Sequence, residues 1–327
     1  MTGKPRVGFL GVGWIGRHRM AAMIATGAIE AAAISDPSPA MIAEAAALAP
    51  GASIVDDLDA MLALGLDGVV IATPSALHAD QSIRALSAGT AVFCQKPLGR
   101  DAAEAARVVD AARIADRLLS VDFSYRFTTG MQAIADLLRR GDLGRVFAVD
   151  LVFHNAYGPD KPWFYDRAQS GGGCVMDLGV HLVDLALWAL GFPEVNGVDP
   201  HLFAGGAPLT GDAVEDYAVA TLTLAGGTAV RLACSWRLNA GVEAEIGATF
   251  YGTAGGARLR NVGGSFYDFA AERFAGTRTD ELAPLDSDWG ARAAVDWARR
   301  LAAGDRFDPA AEQLVTVART LDRIYDK

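Results

Sequence analysis

The stretch Gly11-Val12-Gly13-Trp14-Ile15-Gly16 decides the fold, because it has the Gly-x-Gly-x-x-Gly pattern of a dinucleotide-binding turn. The apolar run at 7–10 predicts a buried strand before the turn, and the pattern at 15–24 predicts a helix after it. The first glycine permits a tight turn, the second lets the backbone approach a pyrophosphate, and the third lets helix and strand pack closely. The helix N-terminus then faces the phosphates. The residues expected to contact the dinucleotide here are Gly11, Gly13, Trp14, Ile15 and Gly16.

A carboxylate follows the second predicted strand, which covers residues 29–34. Asp36 lies 20 residues after Gly16, where an acid accepts hydrogen bonds from the adenosine ribose hydroxyls. Because this charge repels a 2'-phosphate, the sequence favours NAD over NADP. NADP stays open, since Ser35 and Arg17 could help to hold a phosphate. The alternative is a glycine-rich turn that binds nothing.

Length and charge limit the classes of function. A chain of 327 residues can form about two domains, and a net charge of -10 with scattered basic residues argues against a nucleic-acid surface. No apolar stretch reaches the roughly 18 residues of a membrane helix, and the N-terminus reads as a strand instead of a signal peptide. We therefore expect a cytoplasmic protein with small-molecule partners. Cys94, Cys174 and Cys234 suggest reduced core thiols and neither a disulfide framework nor a zinc site.

Strands and helices alternate up to about residue 124, which predicts a doubly wound parallel sheet. Short apolar runs at 69–72, 91–94 and 118–123 are typical of strands, and helical spacing appears at 77–87 and 101–115. Residues 1–124 are therefore predicted to form an NAD(P)-binding Rossmann domain.

The pattern changes after Arg145, where strands follow one another without helices. Four are predicted, at 146–153, 214–224, 228–236 and 243–251, and a turn at Ala225–Thr228 predicts a hairpin. This sheet should be largely antiparallel. Helices are predicted at Trp289–Ala303 and Pro309–Tyr325, with Asp308 as the cap of the last one. Residues 125–327 are thus predicted to form a substrate-binding and oligomerisation α/β domain.

Two loops at the carboxyl edge of the parallel sheet carry polar candidates. Thr73, Pro74 and His78 follow the strand at 69–72 and are expected to line the cofactor cleft, although the loop could be an ordinary one in which His78 caps a helix. Lys96 and Pro97 follow the strand at 91–94. An ammonium beside a nicotinamide could hydrogen-bond the reacting oxygen of a substrate or relay its proton. The alternative for Lys96 is a surface lysine that begins a loop.

A third cluster starts with Gly171-Gly172-Gly173 and continues into a predicted helix. Asp177 and His181 are four residues apart and so share one helix face, which Asp184 continues. A neutral histidine can take a proton from a hydroxyl, and a carboxylate can orient its ring. Two alternatives stay open, a divalent metal held by Asp177, His181 and Asp184, and a salt-bridged helix face with a core histidine. We predict no metal.

Aromatic and basic residues give the candidates for substrate contacts. Tyr157 and Trp163 lie in a stretch that could stack on a sugar ring, although core packing or a subunit contact accounts equally well for the neighbouring Phe164. Arg126 could contact substrate or cofactor, or form a salt bridge between domains.

Taken together, these motifs resemble the Gfo/Idh/MocA oxidoreductase family over nearly the whole chain. The family's Glu-Lys-Pro motif corresponds to Gln95-Lys96-Pro97, and its Gly-Gly-Gly, Asp and His run corresponds to Gly171–Gly173, Asp177 and His181. Gln95 is a departure from the family's Glu. The resemblance implies a C-terminal α/β domain with a large open sheet, whose exposed face often forms the interface of a homo-oligomer.

The resemblance also implies a Lys, Asp and His catalytic set. Lys96 would bind the reacting oxygen, His181 would act as acid or base, and Asp177 would hold the substrate or the histidine. The implied function is hydride transfer between NAD(P) and a sugar, inositol or similar polyol. Two alternatives remain, a glycosidase that works by transient oxidation with tightly held NAD, and a non-catalytic regulator that binds NAD and a sugar.

Overall fold

The structure, a computed structural model, describes residues 3–286 and 290–326. The chain forms two compact units, Met1–Asp122 with Ala291–Val315 and Phe123–Gly290 with Thr316–Lys327. The sequence-based division at residue 124 assigns 291–315 to the second domain, whereas in the structure this segment packs with the first. Trp297 is fully buried there, with its ring centre 5.9 Å from that of Phe93.

Within the described residues, the first unit contains a six-stranded parallel sheet in the order β3-β2-β1-β4-β5-β6. This order and the intervening helices are those of a Rossmann fold, as the sequence predicts. The strands are β1 (Arg6–Leu10), β2 (Glu30–Ser35), β3 (Ser53–Ile54), β4 (Gly68–Ile71), β5 (Ala91–Cys94) and β6 (Leu119–Val121). The helices are α1 (Trp14–Ala25), α2 (Pro39–Leu48), α3 (Leu58–Leu62), α4 (Ser75–Ser87) and α5 (Ala102–Ala115).

Short polar side chains start three of these helices. Ser38, Asp57 and Asp101 accept hydrogen bonds from the backbone N–H groups of Met41, Ala60 and Glu104, respectively, at the starts of α2, α3 and α5. Such caps satisfy donors that the first helical turn leaves without partners. α1 begins at Trp14, after the N-cap residue Gly13, and no side chain of the described residues caps it.

The second unit contains a nine-stranded sheet in the order β15-β14-β13-β12-β7-β11-β10-β8-β9, counted over the described residues. It is antiparallel except between β7 and β11, so the prediction of a large, mainly antiparallel sheet is confirmed. The strands are β7 (Val146–Asn155), β8 (Val195–Ala204), β9 (Ala207–Pro208), β10 (Tyr217–Leu224), β11 (Ala229–Ser235), β12 (Ala244–Gly252), β13 (Gly255–Asn261), β14 (Phe269–Ala275) and β15 (Arg278–Asp286). The helices are α6 (Thr129–Arg140), α7 (Arg167–Ser170) and α8 (Val180–Ala189), with short 3₁₀ turns at Ser124–Phe127 and Pro162–Tyr165 and a π-helical turn at Val175–Gly179.

Helices cover one face of this sheet. α6 packs on β13, β14 and β15, and α8 packs on β7 and β11. Side chains of β10 therefore alternate between buried and more exposed positions along the strand. The other face carries polar and charged residues such as Thr221, Arg231 and Asp150.

The predicted hairpin and the last predicted helix are also present. Gly226 and Gly227 lie in the turn that joins β10 to β11, with φ angles of +83° and +84° that favour glycine. Asp308 accepts from Ala310 N–H at the start of a 3₁₀ turn, Pro309–Ala311, that leads into α10 (Glu312–Ile324). α9 covers Arg292–Ala303, and Trp289, the predicted start of that helix, lies outside the described residues.

One helical segment has the length and composition of a membrane span, which the sequence patterns do not predict. Arg167–Ala189 is long and apolar enough to cross a bilayer by length and composition, which differs from the prediction that no apolar stretch reaches that length. Most of the segment is buried inside the protein, which is typical of a core helix. The segment is therefore only weak support for a membrane span.

Candidate active site

The glycine turn between β1 and α1 is shaped by backbone contacts that leave no space for side chains at two positions. Gly11 has a φ of +84°, and a Cβ there would lie 2.6 Å from the carbonyl oxygen of Ala72. A Cβ at Gly16 would lie 2.2 Å from the carbonyl oxygen of Gly11. Both positions therefore require glycine for the close approach of strand, turn and helix.

Gly13 is different, because a Cβ at this position would meet no atom of the described residues within 4 Å. The turn therefore leaves room beside the start of α1, where backbone N–H groups and the helix dipole favour an anion. Trp14 is 57% exposed and begins α1, with Ile15 partly exposed beside it. The predicted cofactor contacts of these residues stay predictions.

Asp36 is held against the same turn by two backbone amides. Its Oδ2 accepts from Val12 N–H at 2.8 Å, and its Oδ1 accepts from Ser38 N–H at 2.8 Å. Each carboxylate oxygen retains capacity for another hydrogen bond. The carboxylate is thus fixed at the end of β2, with acceptors left for hydroxyl groups.

The two residues that could favour a phosphate have other partners. The Ser35 hydroxyl donates to the Asp56 carbonyl at 3.2 Å, and Ser35 is buried. Arg17 forms an ion pair with Glu44 at 2.7 Å. Both side chains therefore have fewer hydrogen bonds and less positive charge available for a 2'-phosphate.

His78 joins two loops at the carboxyl edge of the parallel sheet. Its Nδ1 lies 2.7 Å from the Pro97 carbonyl oxygen, and its Nε2 lies 2.7 Å from the Thr73 carbonyl oxygen. Burial lowers the pKa of His78, whereas the two carbonyls favour the protonated ring. A neutral imidazole has only one N–H to donate. We therefore give His78 a structural role between these loops; direct contact with a cofactor stays a prediction.

Thr73 and Pro74 lie where the sequence predicts, between β4 and α4. The Thr73 hydroxyl donates to Gln81 Oε1 at 2.6 Å, and Pro74 precedes the first residue of α4. Lys96 follows β5 and is partly exposed, and its peptide bond to the buried Pro97 is cis. The structure thus brings the Thr73 loop and the Pro97 carbonyl together through His78.

In the second unit, the glycine run at 171–173 packs against a buried carboxylate. Glu215 accepts from Gly173 N–H at 3.0 Å and from Val175 N–H at 2.9 Å, and the Tyr325 hydroxyl donates to it at 2.6 Å. Burial raises the pKa of Glu215, and these hydrogen bonds oppose that shift. Burial also raises the pKa of Tyr325 well above its usual range. Glu215 therefore holds the start of the segment that carries Asp177 and His181.

Asp177 lies in the π-helical turn that precedes α8. Such a turn bonds residue i to i+5, so α-helical spacing alone does not set the directions of Asp177 and His181. The indole N–H of Trp236, at the end of β11, donates to Asp177 Oδ2 at 3.0 Å. This contact fixes the orientation of a partly exposed carboxylate.

His181 lies in an aromatic environment within the second unit. Its ring centre is 5.0 Å from that of Tyr125, 6.2 Å from that of Phe153 and 6.4 Å from that of Phe123. The side chain is 8% exposed. These rings restrict the imidazole and keep most water away from it.

Asp184, one turn further along α8, has a separate partner. Its carboxylate forms a two-pronged ion pair with the Arg126 guanidinium, with one contact at 2.7 Å. Burial raises the pKa of Asp184, and Arg126 opposes this shift. Both residues belong to the second unit, so this pair is not the salt bridge between domains that the sequence left open for Arg126. A substrate contact by Arg126 stays a prediction.

Among residues 3–286 and 290–326, no group of three or more His, Cys, Asp or Glu side chains could hold a metal ion. All three cysteines are buried free thiols, and burial raises the pKa of Cys94 to about 12.

The predicted aromatic stretch packs beside Asp177 through Trp236. Trp163 and Phe164 stack with ring centres 3.8 Å apart, and Phe164 lies edge-on to Trp236 at 6.2 Å. Tyr165 also contacts Trp236, at 5.5 Å. Tyr157 is 55% exposed, and its hydroxyl lies 3.4 Å from Glu243. Trp163 is therefore close in the fold to the Asp177 partner, whereas Tyr157 faces outward on a neighbouring loop.

Sequence reasoning missed two residues that hold the catalytic candidates, Trp236 and Glu215. Glu215 bonds to Gly173 and Trp236 bonds to Asp177, each across more than 30 residues of chain, so local spacing carries no signal for either contact. The position of Trp236 at the end of a predicted strand is the one feature that marks it in the sequence.

Two family models match this chain in sequence. Residues 5–123 match the oxidoreductase family with an NAD-binding Rossmann fold, and residues 131–258 match the GFO/IDH/MocA C-terminal domain. The chain belongs to the Gfo/Idh/MocA oxidoreductase family. This Gfo/Idh/MocA member is therefore an NAD(P)-dependent oxidoreductase with an NAD-binding first domain, as the sequence motifs predict.

Two curated relatives that this Gfo/Idh/MocA protein resembles are named dehydrogenases. It is 30% identical over 277 residues to the D-glucoside 3-dehydrogenase of Escherichia coli, a match that covers 79% of this chain and 78% of the relative. It is 35% identical over 188 residues to an inositol 2-dehydrogenase of Rhodococcus erythropolis, covering 57% of this chain and 52% of that protein.

Solved structures with the same fold include a levoglucosan dehydrogenase in complex with NADH and levoglucosan. The TM-score is 0.84 at 22% identity, and the match covers 99% of this chain and 97% of the other. An aldose-aldose oxidoreductase from Caulobacter crescentus has a TM-score of 0.85 at 21% identity, covering 99% and 97% of the two chains. At these identities the likeness concerns the fold.

Proposed function

We propose that this chain is a dehydrogenase that prefers NAD and transfers hydride between the nicotinamide and a hydroxyl- or carbonyl-bearing carbon of a sugar, inositol or similar polyol. The observation that carries the cofactor preference is the Asp36 carboxylate, held by Val12 N–H and Ser38 N–H. The substrate class rests on relatives named for D-glucosides and inositol.

The residues of the first unit fit a dinucleotide. Gly13 leaves free space at the start of α1, where a pyrophosphate would be stabilised by N–H groups and the helix dipole. Asp36 would accept hydrogen bonds from the adenosine ribose. Because Asp36 repels a 2'-phosphate and Arg17 is paired with Glu44, NAD is favoured over NADP.

Bound NAD supplies the hydride acceptor, and the protein manages the alcohol proton. His181 would remove this proton as the alcohol becomes a carbonyl and return it in the reverse direction. Lys96 would donate a hydrogen bond to the same oxygen and favour its negative charge. Asp177, oriented by Trp236, would hold a substrate hydroxyl or the imidazole. This division of roles rests on the family pattern and on the surroundings of each residue within its own unit.

The aromatic stretch supports a sugar-like substrate. Trp163 and Tyr157 offer flat apolar faces, and sugar rings have apolar C–H faces that pack on them. Trp163 stacks on Phe164, which in turn contacts Trp236 beside Asp177. Substrate binding and the orientation of Asp177 would thus share one group of side chains.

Two further features of the proposal concern the protein's setting. A homo-oligomer would form through the face of the nine-stranded sheet that α6 and α8 leave uncovered. A cytoplasmic location would suit the three buried free thiols.

The test is NADH or NADPH formation by the purified protein, followed by absorbance, across inositols, aldoses, anhydro sugars and sugar acids. Reduced cofactor with one polyol class, and faster with NAD than with NADP, is the expected result. Tightly held NAD with glycoside cleavage and no net NADH would replace the proposal by the internal-redox glycosidase. NAD and sugar binding without any turnover would replace it by the non-catalytic regulator.

A further inference from the structure

A buried polar network that includes Gln95, Asp122 and Arg19 lies beside Lys96 in the first unit. The side-chain amide of Gln95 donates to Asp122 Oδ2 at 2.6 Å, and Arg19 Nε donates to the same oxygen at 2.7 Å. All three residues are almost fully buried, with exposures of 7% for Gln95, 1% for Asp122 and 2% for Arg19.

The topology explains why these side chains meet. Gln95 follows β5 and Asp122 follows β6, and the two strands are parallel neighbours in which Cys94 is opposite Val121. Asp122 N–H donates to the Cys94 carbonyl at 3.0 Å, so both residues lie at the same edge of the sheet. Arg19 comes from α1, the helix that starts at the glycine turn. The network therefore joins that helix to the residue before Lys96.

The charge balance of this network depends on a neutral amide at position 95. Buried ions need partners, and the Arg19 and Asp122 charges satisfy each other. Gln95 adds a donor without adding a charge. A glutamate at this position would place a second carboxylate within hydrogen-bond distance of Asp122, the partner of the Arg19 guanidinium.

We infer that Asp122 is a positioning residue for Lys96, and that positions 95 and 122 form a pair that must hold one acid and one amide. In this chain the acid is Asp122 and the amide is Gln95, so the departure from the family's Glu-Lys-Pro pattern keeps one carboxylate in the network. Through Gln95, the carboxylate fixes the backbone immediately before Lys96. Through Arg19, the Asp122 carboxylate holds the same stretch of backbone against α1.

The pair predicts the result of a charge swap. Q95E brings two carboxylates together, and D122N leaves Arg19 without its carboxylate. The double variant Q95E/D122N again holds one acid and one amide beside Arg19. Each single variant should therefore lose stability and activity, and the double variant should regain both. The effects of the two substitutions are not additive, because the two residues are in contact.

The experiment compares the wild type, Q95E, D122N and Q95E/D122N by thermal midpoint, NAD titration and steady-state kinetics. We expect each single variant to lower the midpoint and to reduce kcat by about tenfold or more. The double variant should have kcat within about threefold of the wild type, and KM should change less than kcat throughout. If D122N fails to fold, soluble Q95E/D122N is itself the recovery that the pair predicts. D59N is the matched control, because it removes a carboxylate from an exposed ion pair with Arg84 and should change neither quantity.

Two results would overturn the inference. One is a double variant no better than the worse single variant in both midpoint and kcat. The other is recovery of the midpoint with kcat still reduced, which would make the network structural and remove its effect on Lys96. The kinetic readout rests on the proposed function, whereas the midpoints do not. A wild type without turnover would count against the proposed function, and the midpoints of the four proteins would still decide the pairing of residues 95 and 122.

Discussion

The two glycine-rich turns of this protein, Gly11–Gly16 and Gly171–Gly173, look alike in sequence but differ in the space beside their backbones. At the first, a Cβ on Gly13 would meet no described atom within 4 Å. At the second, a Cβ on Gly173 would lie 2.0 Å from the Glu215 carbonyl oxygen, and one on Gly172 would lie 2.1 Å from the Tyr325 hydroxyl. Both turns lead into a helical segment. The first keeps space beside Gly13, whereas the second is filled at Gly172 and Gly173.

The backbone amides of the two turns meet carboxylates at different places. At the first turn, Asp36 accepts from Val12 N–H, before the start of α1. The Glu215 carboxylate accepts from Gly173 and Val175, so the protein itself supplies the anion at the second turn. Within the part of the chain that the structure describes, no side chain caps the start of α1 at Gly13. Glycine followed by a helix thus indicates close backbone approach at both places, and residues distant in sequence decide whether a ligand or the protein fills the space.

The largest expected effect is at His181, in the helix that follows the second turn. It tests whether that region has a chemical role while the first turn has a binding role. His181→Ala should lower kcat by about 10² to 10⁴, because the alcohol proton loses its acceptor. NAD affinity should be unchanged in a titration. His201→Ala is the control, since His201 is exposed on β8. Near-normal turnover in the His181 variant would end the assignment.

The next prediction concerns the crowded turn. Gly173→Ala should lower the free energy of unfolding by about 3 kcal/mol, because the new Cβ meets the backbone of Glu215 and cannot move away from it. Chemical denaturation measures this loss. Gly51→Ala is the control, as its Cβ would meet no described atom within 4 Å. Equal stability of the two variants would mean that the second turn is as open as the first.

A smaller effect is expected at the residue that orients Asp177. Trp236→Phe keeps an aromatic ring beside Phe164 and Tyr165 but removes the N–H that donates to Asp177. Loss of a hydrogen bond to a charged group should reduce kcat about tenfold, while NAD affinity stays the same.

Trp297→Phe serves as its control. Trp297 Nε1 has no hydrogen-bond partner within the described part of the chain, so the same substitution removes no such bond. An equal loss of kcat in both variants would show that ring volume, and not the bond to Asp177, explains the effect.

The smallest effect is expected at the first turn's carboxylate. Asp36→Ala should weaken NAD binding and narrow its advantage over NADP several-fold, because the acceptor for the ribose hydroxyls and the charge that repels a 2'-phosphate are both lost. Parallel titrations with the two cofactors measure the ratio. An unchanged ratio of NAD to NADP affinity would show that Asp36 does not determine the cofactor preference.

Sequence patterns predict the first turn better than the second. Gly11, Gly16 and Asp36 lie on consecutive elements of one unit, so their spacing predicts the turn and the acid beside it. The start of the last helical segment at Asp308 follows from an equally local pattern. Local spacing also predicts that Asp177 and His181 lie on one helical segment.

Long-range partners explain what the sequence does not predict. Glu215, just before β10, and Trp236, just after β11, bond to Gly173 and Asp177 from distant parts of the chain. Asp122 bonds to Gln95 across the ends of two neighbouring strands. The π-helical turn at Val175–Gly179 also changes the direction of Asp177 in a way that an α-helical spacing does not contain. Strand β8 has a mixed polar and apolar sequence without a clear period of two, so its sequence does not predict a strand.

The most direct test of the contrast between the turns is a calorimetric NAD titration of Gly13→Val beside the wild type, with the thermal midpoint of each. We predict NAD affinity weaker by about tenfold or more, because the side chain fills the space that the pyrophosphate needs, with the midpoint unchanged. Unchanged NAD affinity would contradict the account, because the open turn would then not be where the dinucleotide binds.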